Sequence, residues 1–218
     1  MLGLIVPYRD RSDHLRVFRR DIGSYMREKN ISYNLYVIEQ EAGKPFNRGK
    51  LLNTGFQESK DECDYFCFHD VDMIPIEADY SPVKAPTHIA VSVEQFNWRL
   101  PYEGYFGGVT LFDRESFLKI NGYSNEYWGW GAEDDDLLLR CKKAGIETMR
   151  RPCSFRSLPH SRGFNTADYE KNVRNLSEFT NSNKGLTEES GLNSLQYDVI
   201  TSSVSRSGGK DLQIKVRI

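Results

Sequence analysis

Residues 128–136 read Trp-Gly-Trp-Gly-Ala-Glu-Asp-Asp-Asp, and they restrict the fold of this chain more than any other stretch. Four consecutive carboxylates repel one another, so a folded protein keeps them only where a cation, a helix N-terminus or reaction chemistry uses the charge. Leu137, Leu138, Leu139 and Arg140 follow, so the acids open a helix whose macrodipole favours their ionised form. Successive side chains fan out by about 100° around a helix, which lets Glu133, Asp134 and Asp135 address different partners in one pocket. Asp136 lies three residues after Glu133, shares its face and reads as structural. Glycines on both sides of Trp130 provide hinge freedom, making the segment a mobile aromatic lid. A solvated helix start would explain an acidic triplet, but not two tryptophans in a glycine loop.

Upstream, the hydrophobic run Tyr65-Phe66-Cys67-Phe68-His69 ends in Asp70-Val71-Asp72. Open α/β sheets bind ligands at such carboxyl ends. Strand alternation predicts Asp70 and Asp72 on one side of the chain, one for a metal and the other for a hydroxyl or ribose. Taken alone, the same pattern also describes ordinary turn aspartates.

The rest of the chain reads as one α/β domain. A strand from Leu2 precedes a helix with Ser12 as its N-cap and Leu15, Phe18, Ile22 and Met26 inward, and a strand over 34–39 completes a βαβ start. Helices are expected over 47–59, 115–120 and 133–144, with strands over 88–93, 106–112 and 146–151. Residues 161–191 are polar and fit a long binding loop with a helical piece near 168–179. A hairpin over 195–203 and 211–218 turns around Ser207-Gly208-Gly209. The 218 residues are 39% hydrophobic with a net charge of −2, enough for one core and without a general nucleic-acid or anionic-membrane footprint. No apolar run reaches membrane-span length, and the leading stretch is too short for a signal peptide. Cys63, Cys67, Cys141 and Cys153 read as reduced core thiols.

Seven blocks, in order, resemble the β-1,4-galactosyltransferase family of inverting sugar-nucleotide transferases. They are IVPYRDR from Ile5, FNRGKLLNTGF from Phe46, HDVDMIP from His69, LPYEGYFGGVTLF from Leu100, WGWGAEDDDLLLR from Trp128, His160-Ser161-Arg162, and SGLNSLQYDV from Ser190. The resemblance implies a GT-A type, Rossmann-like single domain with a central mixed sheet flanked by helices and a C-terminal β-hairpin. Residues 1–75 would form the nucleotide-binding half and 76–218 the donor and acceptor half.

By the same resemblance, Pro7, Arg9, Arg11, Phe46, Arg48, Asp70 and Val71 line the nucleotide and donor pocket, with Tyr105, Gly108 and Trp130 at the sugar. Asp72 and His160 are the implied metal ligands; carboxylate, imidazole and diphosphate oxygens together suit Mn²⁺, with Mg²⁺ also accommodated. The family places a further ligand, methionine or histidine, three residues before this histidine. Ser157 stands there instead, which implies a looser metal, a site completed by water, or a ligand elsewhere. Inversion needs a carboxylate to take the acceptor's proton, and the match assigns that base to Asp134. Glu133 would bind the donor sugar, and Asp135, Phe96 and Tyr102 the acceptor.

The implied reaction moves galactose from UDP-galactose to a glycan hydroxyl in a β-1,4 linkage. Tyr105 restricts room at the sugar's 2-position, and the acceptor end is N-acetylglucosamine, glucose or xylose. Transfer of N-acetylgalactosamine or glucose, a noncatalytic glycan- or nucleotide-binding module and a nucleotide-sugar hydrolase are the alternatives. Animal members are anchored Golgi proteins. Because the chain shows no anchor or stem, the expectation is a bacterial or viral relative in the cytoplasm, at most peripheral at the inner membrane, with the Golgi lumen reserved for a trimmed chain.

Overall fold

The computed structural model describes residues 1–160, 164–206 and 209–218. β1 (Leu2–Tyr8) is buried along its whole length between parallel neighbours β2 (Tyr33–Gln40) and β3 (Tyr65–His69), as a near-continuous apolar parallel strand should be. Between β1 and β2, α1 (Ser12–Glu28) buries Leu15, Phe18, Ile22 and Met26, the face its spacing predicts. Arg11 takes the N-cap position without a side-chain cap, so Ser12 is the first helical residue rather than the cap. α2 (Arg48–Ser59) is capped by Asn47, whose side chain accepts the Lys50 N–H.

After β3 the chain leaves the sheet through Asp70-Val71-Asp72 and enters β4 (Met73–Glu77). β5 (Thr87–His88), β6 (Ser92–Val93) and β7 (Val109–Asp113) follow, then α3 (Arg114–Lys119), α4 (Glu133–Lys143), β8 (Met149–Arg150), β9 (Ser154–Ser157) and α5 (Thr166–Asn181). β10 (Asp198–Arg206) and β11 (Lys210–Arg217) form the expected antiparallel hairpin; Ser207 and Gly208 of its turn lie outside the described residues. The eight-stranded mixed sheet runs β10-β11-β2-β1-β3-β7-β5-β8, and a three-stranded sheet runs β4-β9-β6. One core packs α1 and the small sheet on one face, and the other packs Leu51, Leu52, Phe56, Phe117 and Leu137 on the opposite face.

Three expected strands differ. The 88–93 segment is divided between the two sheets as β5 and β6, the 106–112 strand begins only at Val109 after Gly108 at φ +78°, and 146–151 shortens to β8. All four cysteines are buried and free.

Candidate active site

Arg48, the first residue of α2, joins the two acidic motifs. Its Nε donates to Asp70 Oδ1 at 2.6 Å, its Nη1 donates to Asp134 Oδ1 at 2.7 Å, and Glu133 Oε1 stands 3.8 Å from the same nitrogen. The Tyr123 ring lies under the guanidinium at 5.8 Å. Burial opposes the charge of Arg48, but Asp134 and Asp70 more than offset this and hold its pKa well above the ordinary value. Three carboxylates against one cation leave surplus negative charge. Burial and the neighbouring Asp134 push Glu133 up to about 8, against the pull of Arg48. Burial likewise pushes Asp70 up to about 6, opposed by Arg48 and reinforced by Asp72 and Asp134.

α4 begins at Glu133 as its acids require, after Ala132 at φ +73° and with no side-chain cap. Asp136 turns away from the site into a fully buried pair with Arg140, and its other oxygen accepts from Tyr127 Oη at 3.0 Å. Gly107 supports Asp134 from the opposite side. A Cβ there would lie 2.2 Å from Asp134 Oδ2 and 2.9 Å from the Tyr105 ring, so only glycine allows this approach. The buried His88 donates from Nε2 to the Gly107 carbonyl at 2.9 Å and meets the Tyr105 ring edge-on at 5.3 Å. Gly108 follows at positive φ, where a Cβ would stand 3.4 Å from Tyr105 Oη.

The two aspartates after β3 do not share a side. Asp70-Val71-Asp72 is a turn, closed by Met73 N–H to Asp70 O at 3.2 Å, so strand alternation does not apply. Asp70 goes to Arg48, whereas Asp72 Oδ2 meets His160 Nε2 at 2.6 Å, with Arg11 Nη1 at 4.0 Å. Arg11 Nη2 also lies 3.2 Å from His160 Nδ1. Burial pushes the Asp72 carboxyl up, but the His160 hydrogen bond and charge, with Arg11, leave it below its ordinary value. His14, at the start of α1, lies 3.2 Å from the Pro159 carbonyl and faces the His160 ring edge-on, a support 146 residues distant in sequence that no local signal announces.

Asp72 and His160 form a carboxylate–imidazole donor pair suited to a borderline divalent cation. Among the described residues no group of three or more His, Cys, Asp and Glu could hold a metal ion. Ser157 lies in β9 opposite Met73; its Oγ accepts the Gln95 N–H at 3.4 Å and its N–H donates to Glu94. Among the described residues, Asp72 and His160 are the two implied ligands that the structure brings together, and Ser157 is engaged with Gln95 and Glu94. Ser161 and Arg162 lie outside the described residues.

Arg9 packs over the Phe46 ring at 5.3 Å and donates to the Lys44 carbonyl, while Pro7 in β1 and Val71 after β3 are buried. Phe46 also anchors the lid, its carbonyl accepting the Gly129 N–H at 2.8 Å. Gly129 and Gly131, on either side of Trp130, sit at φ +77° and +105°, where glycine is favoured. Trp130 stacks on Tyr169 at 5.7 Å and meets Phe164 at 5.9 Å, while Asn172 donates to the Trp128 and Trp130 carbonyls. These contacts dock residues 128–131 on α5 and on Phe164 just before it; a helix near 168–179 was expected, but not that it would meet this segment. Tyr102 donates to Asp135 Oδ1 at 2.8 Å, and Tyr105 sits between the rings of Phe96 and Tyr102, each 5.6 Å away.

A mixed sheet with an aspartate turn after β3 and an acidic cluster opening α4 has the architecture of a GT-A glycosyltransferase. Two family profiles match: "N-terminal region of glycosyl transferase group 7" over residues 1–81 and "N-terminal domain of galactosyltransferase" over 87–162. The chain belongs to this galactosyltransferase family. β-1,4-galactosyltransferase 2 of Cricetulus griseus is 37% identical over 207 residues, 91% of this chain and 55% of that protein. Human β-1,4-galactosyltransferase 4 is 44% identical over 154 residues, 68% of this chain and 44% of that protein. The chain thus spans about half the length of these relatives. A solved mutant of Drosophila β-1,4-galactosyltransferase 7, in complex with manganese, UDP-Gal and xylobiose, is similar at 25% identity and TM-score 0.79, over all of this chain and 93% of that one. The expectation of a cytoplasmic enzyme is overturned, because these relatives are animal β-1,4-galactosyltransferases, lumenal Golgi enzymes. No helix among the described residues is long and apolar enough to cross a membrane.

Proposed function

We propose that this protein transfers galactose from UDP-galactose to a glycan hydroxyl with inversion, forming a β-1,4 linkage in a metal-dependent reaction. The observation that carries the reading is the Arg48 hub, which gathers Asp70, Glu133 and Asp134 between the implied donor and acceptor residues. Family membership and the manganese and UDP-Gal of the Drosophila complex support it.

Asp134 takes the proton of the attacking acceptor hydroxyl, and Arg48 and Gly107 fix the direction of its carboxylate. Glu133 keeps a proton up to about pH 8 and donates a hydrogen bond to the donor sugar. Arg9 and Arg11 face the diphosphate, with residues 1–75 as the nucleotide half and 76–218 as the sugar half. Asp72 and His160 would hold Mn²⁺, or Mg²⁺ in its place, and the cation would supply positive charge to the diphosphate of the leaving UDP. Trp130 swings from α5 over the donor to exclude water, the competing nucleophile. Tyr105 bounds the sugar's 2-position and selects galactose. Asp135, Tyr102 and Phe96 hold the acceptor, whose end is N-acetylglucosamine, glucose or xylose; the Drosophila relative's xylobiose supports the last.

The test is UDP release from UDP-galactose, UDP-N-acetylgalactosamine and UDP-glucose with Mn²⁺, each with and without the three acceptors. Acceptor-stimulated turnover of UDP-galactose is expected. Acceptor-independent release would make the protein a hydrolase, and preference for another donor would overturn the role of Tyr105.

A further inference from the structure

Next to the acceptor loop lies a cavity of about 480 Å³ that takes no part in the reaction above. Phe106 and Leu138 supply apolar lining, Gly104 and Thr148 leave room and a hydroxyl, and Lys142 and Arg150 bring two positive charges. Its place follows from α4. Asp135, which accepts from Tyr102, is followed three and seven residues later by Leu138 and Lys142, roughly 5 and 10 Å along the helix axis. Gly104 follows Tyr102 by two residues on the facing loop. The cavity therefore begins where the acceptor residues end, and the sugar linked behind the accepting one would enter it.

The lining says what that sugar carries. An apolar floor with a polar rim suits the carbon face of a pyranose. Among the described residues neither Lys142 nor Arg150 has an ion pair with a carboxylate, although Glu103 also lines the cavity. Arg150 Nη2 instead donates to the backbone carbonyls of Glu103 and Tyr105, which fixes the guanidinium at the cavity wall. Two cations, an Arg150 held by backbone carbonyls and an exposed Lys142, against one acid favour a carboxylate guest. We infer that this cavity is a subsite for an acidic sugar, a uronic acid, placed directly behind the accepting residue of the acceptor glycan.

The inference rests on the proposed transferase reading, and the experiment separates the two. Matched disaccharides carry N-acetylglucosamine, glucose or xylose at the accepting end and either galactose or glucuronic acid behind it. The ratio of kcat/KM for acidic over neutral acceptor is expected at about five- to tenfold, shrinking in about 0.5 M salt. Lys142→Gln should remove most of that preference and Lys142→Glu should reverse it. Equal use of both acceptors, or a ratio unmoved by Lys142→Glu, overturns the subsite. If no disaccharide is turned over at all, the transferase reading fails first. The subsite is then decided by NMR titration of the glucuronic acid disaccharides: methyl shifts at Leu138 and Thr148 that Lys142→Glu abolishes support it, and their absence overturns it.

Discussion

Asp134 and Asp136 leave the same turn of α4 and each meets an arginine, yet the two pairs behave differently. Asp136 and Arg140 are almost wholly buried, one acid to one base, and their remaining groups are bound by Tyr127 and by the carbonyls of Ile120 and Ser190. That pair is closed. It fastens α4 to the segment following α3 and to the segment past α5, and has nothing left to offer a ligand. Arg48 instead serves Asp70, Asp134 and, more distantly, Glu133, so negative charge exceeds positive and a carboxyl is held far from its ordinary pKa. Burial alone does not mark a reactive acid. Burial combined with an unbalanced count of charges does.

The sharpest way to break this comparison is to neutralise each acid in turn. Asp134→Asn should lower kcat roughly 10²- to 10⁴-fold while UDP binding by calorimetry stays as it was; loss of UDP affinity would make Asp134 a binding residue instead. Asp136→Ala should leave Arg140 buried without its partner and cost about 3–5 kcal/mol, a fall of roughly 10 °C in Tm. A melting temperature equal to the wild type's would show that this pair fastens nothing. Trp130→Ala tests the lid between the two regions. Its ring is half exposed, so stability should change by less than about 0.5 kcal/mol. Transfer should fall about tenfold, and hydrolysis of UDP-galactose without acceptor should rise; unaltered hydrolysis would argue against water exclusion.

The smallest effect concerns Glu133. Its folded pKa of about 8 lies above the ordinary 4.5, so between these values the folded state binds more protons than the unfolded chain, and stability falls as pH rises through that window. Glu133→Gln should therefore flatten the pH dependence of Tm between about pH 5 and 8, by a few degrees at the upper end. An identical slope in the variant would show that the charge imbalance around Arg48 is relieved elsewhere.

Much of this was legible in the chain itself. The inward face of α1, the Asn47 start of α2, the acidic opening of α4 and the C-terminal hairpin follow from local periodicity and turn chemistry. The small sheet escaped notice because β4, β9 and β6 are short and each is completed by partners distant in sequence. The sidedness of Asp70 and Asp72 was misjudged for a related reason: alternation holds only while a strand continues, and β3 ends at His69.

The amino-acid sequence by itself determined where the carboxylates cluster and where helices and strands can start, because charge repulsion, glycine freedom and apolar spacing act over a few neighbouring residues. Tertiary structure alone decided which carboxylate belongs to which cation. Arg48 finds Asp134 across 86 positions and Asp72 finds His160 across 88, distances along the chain over which no local preference reaches. It also decided that Gly107 must lack a side chain, since the carboxylate it would strike arrives from α4, distant in sequence. Electrostatic pairing and steric exclusion depend on separation in space, and only packing sets that separation.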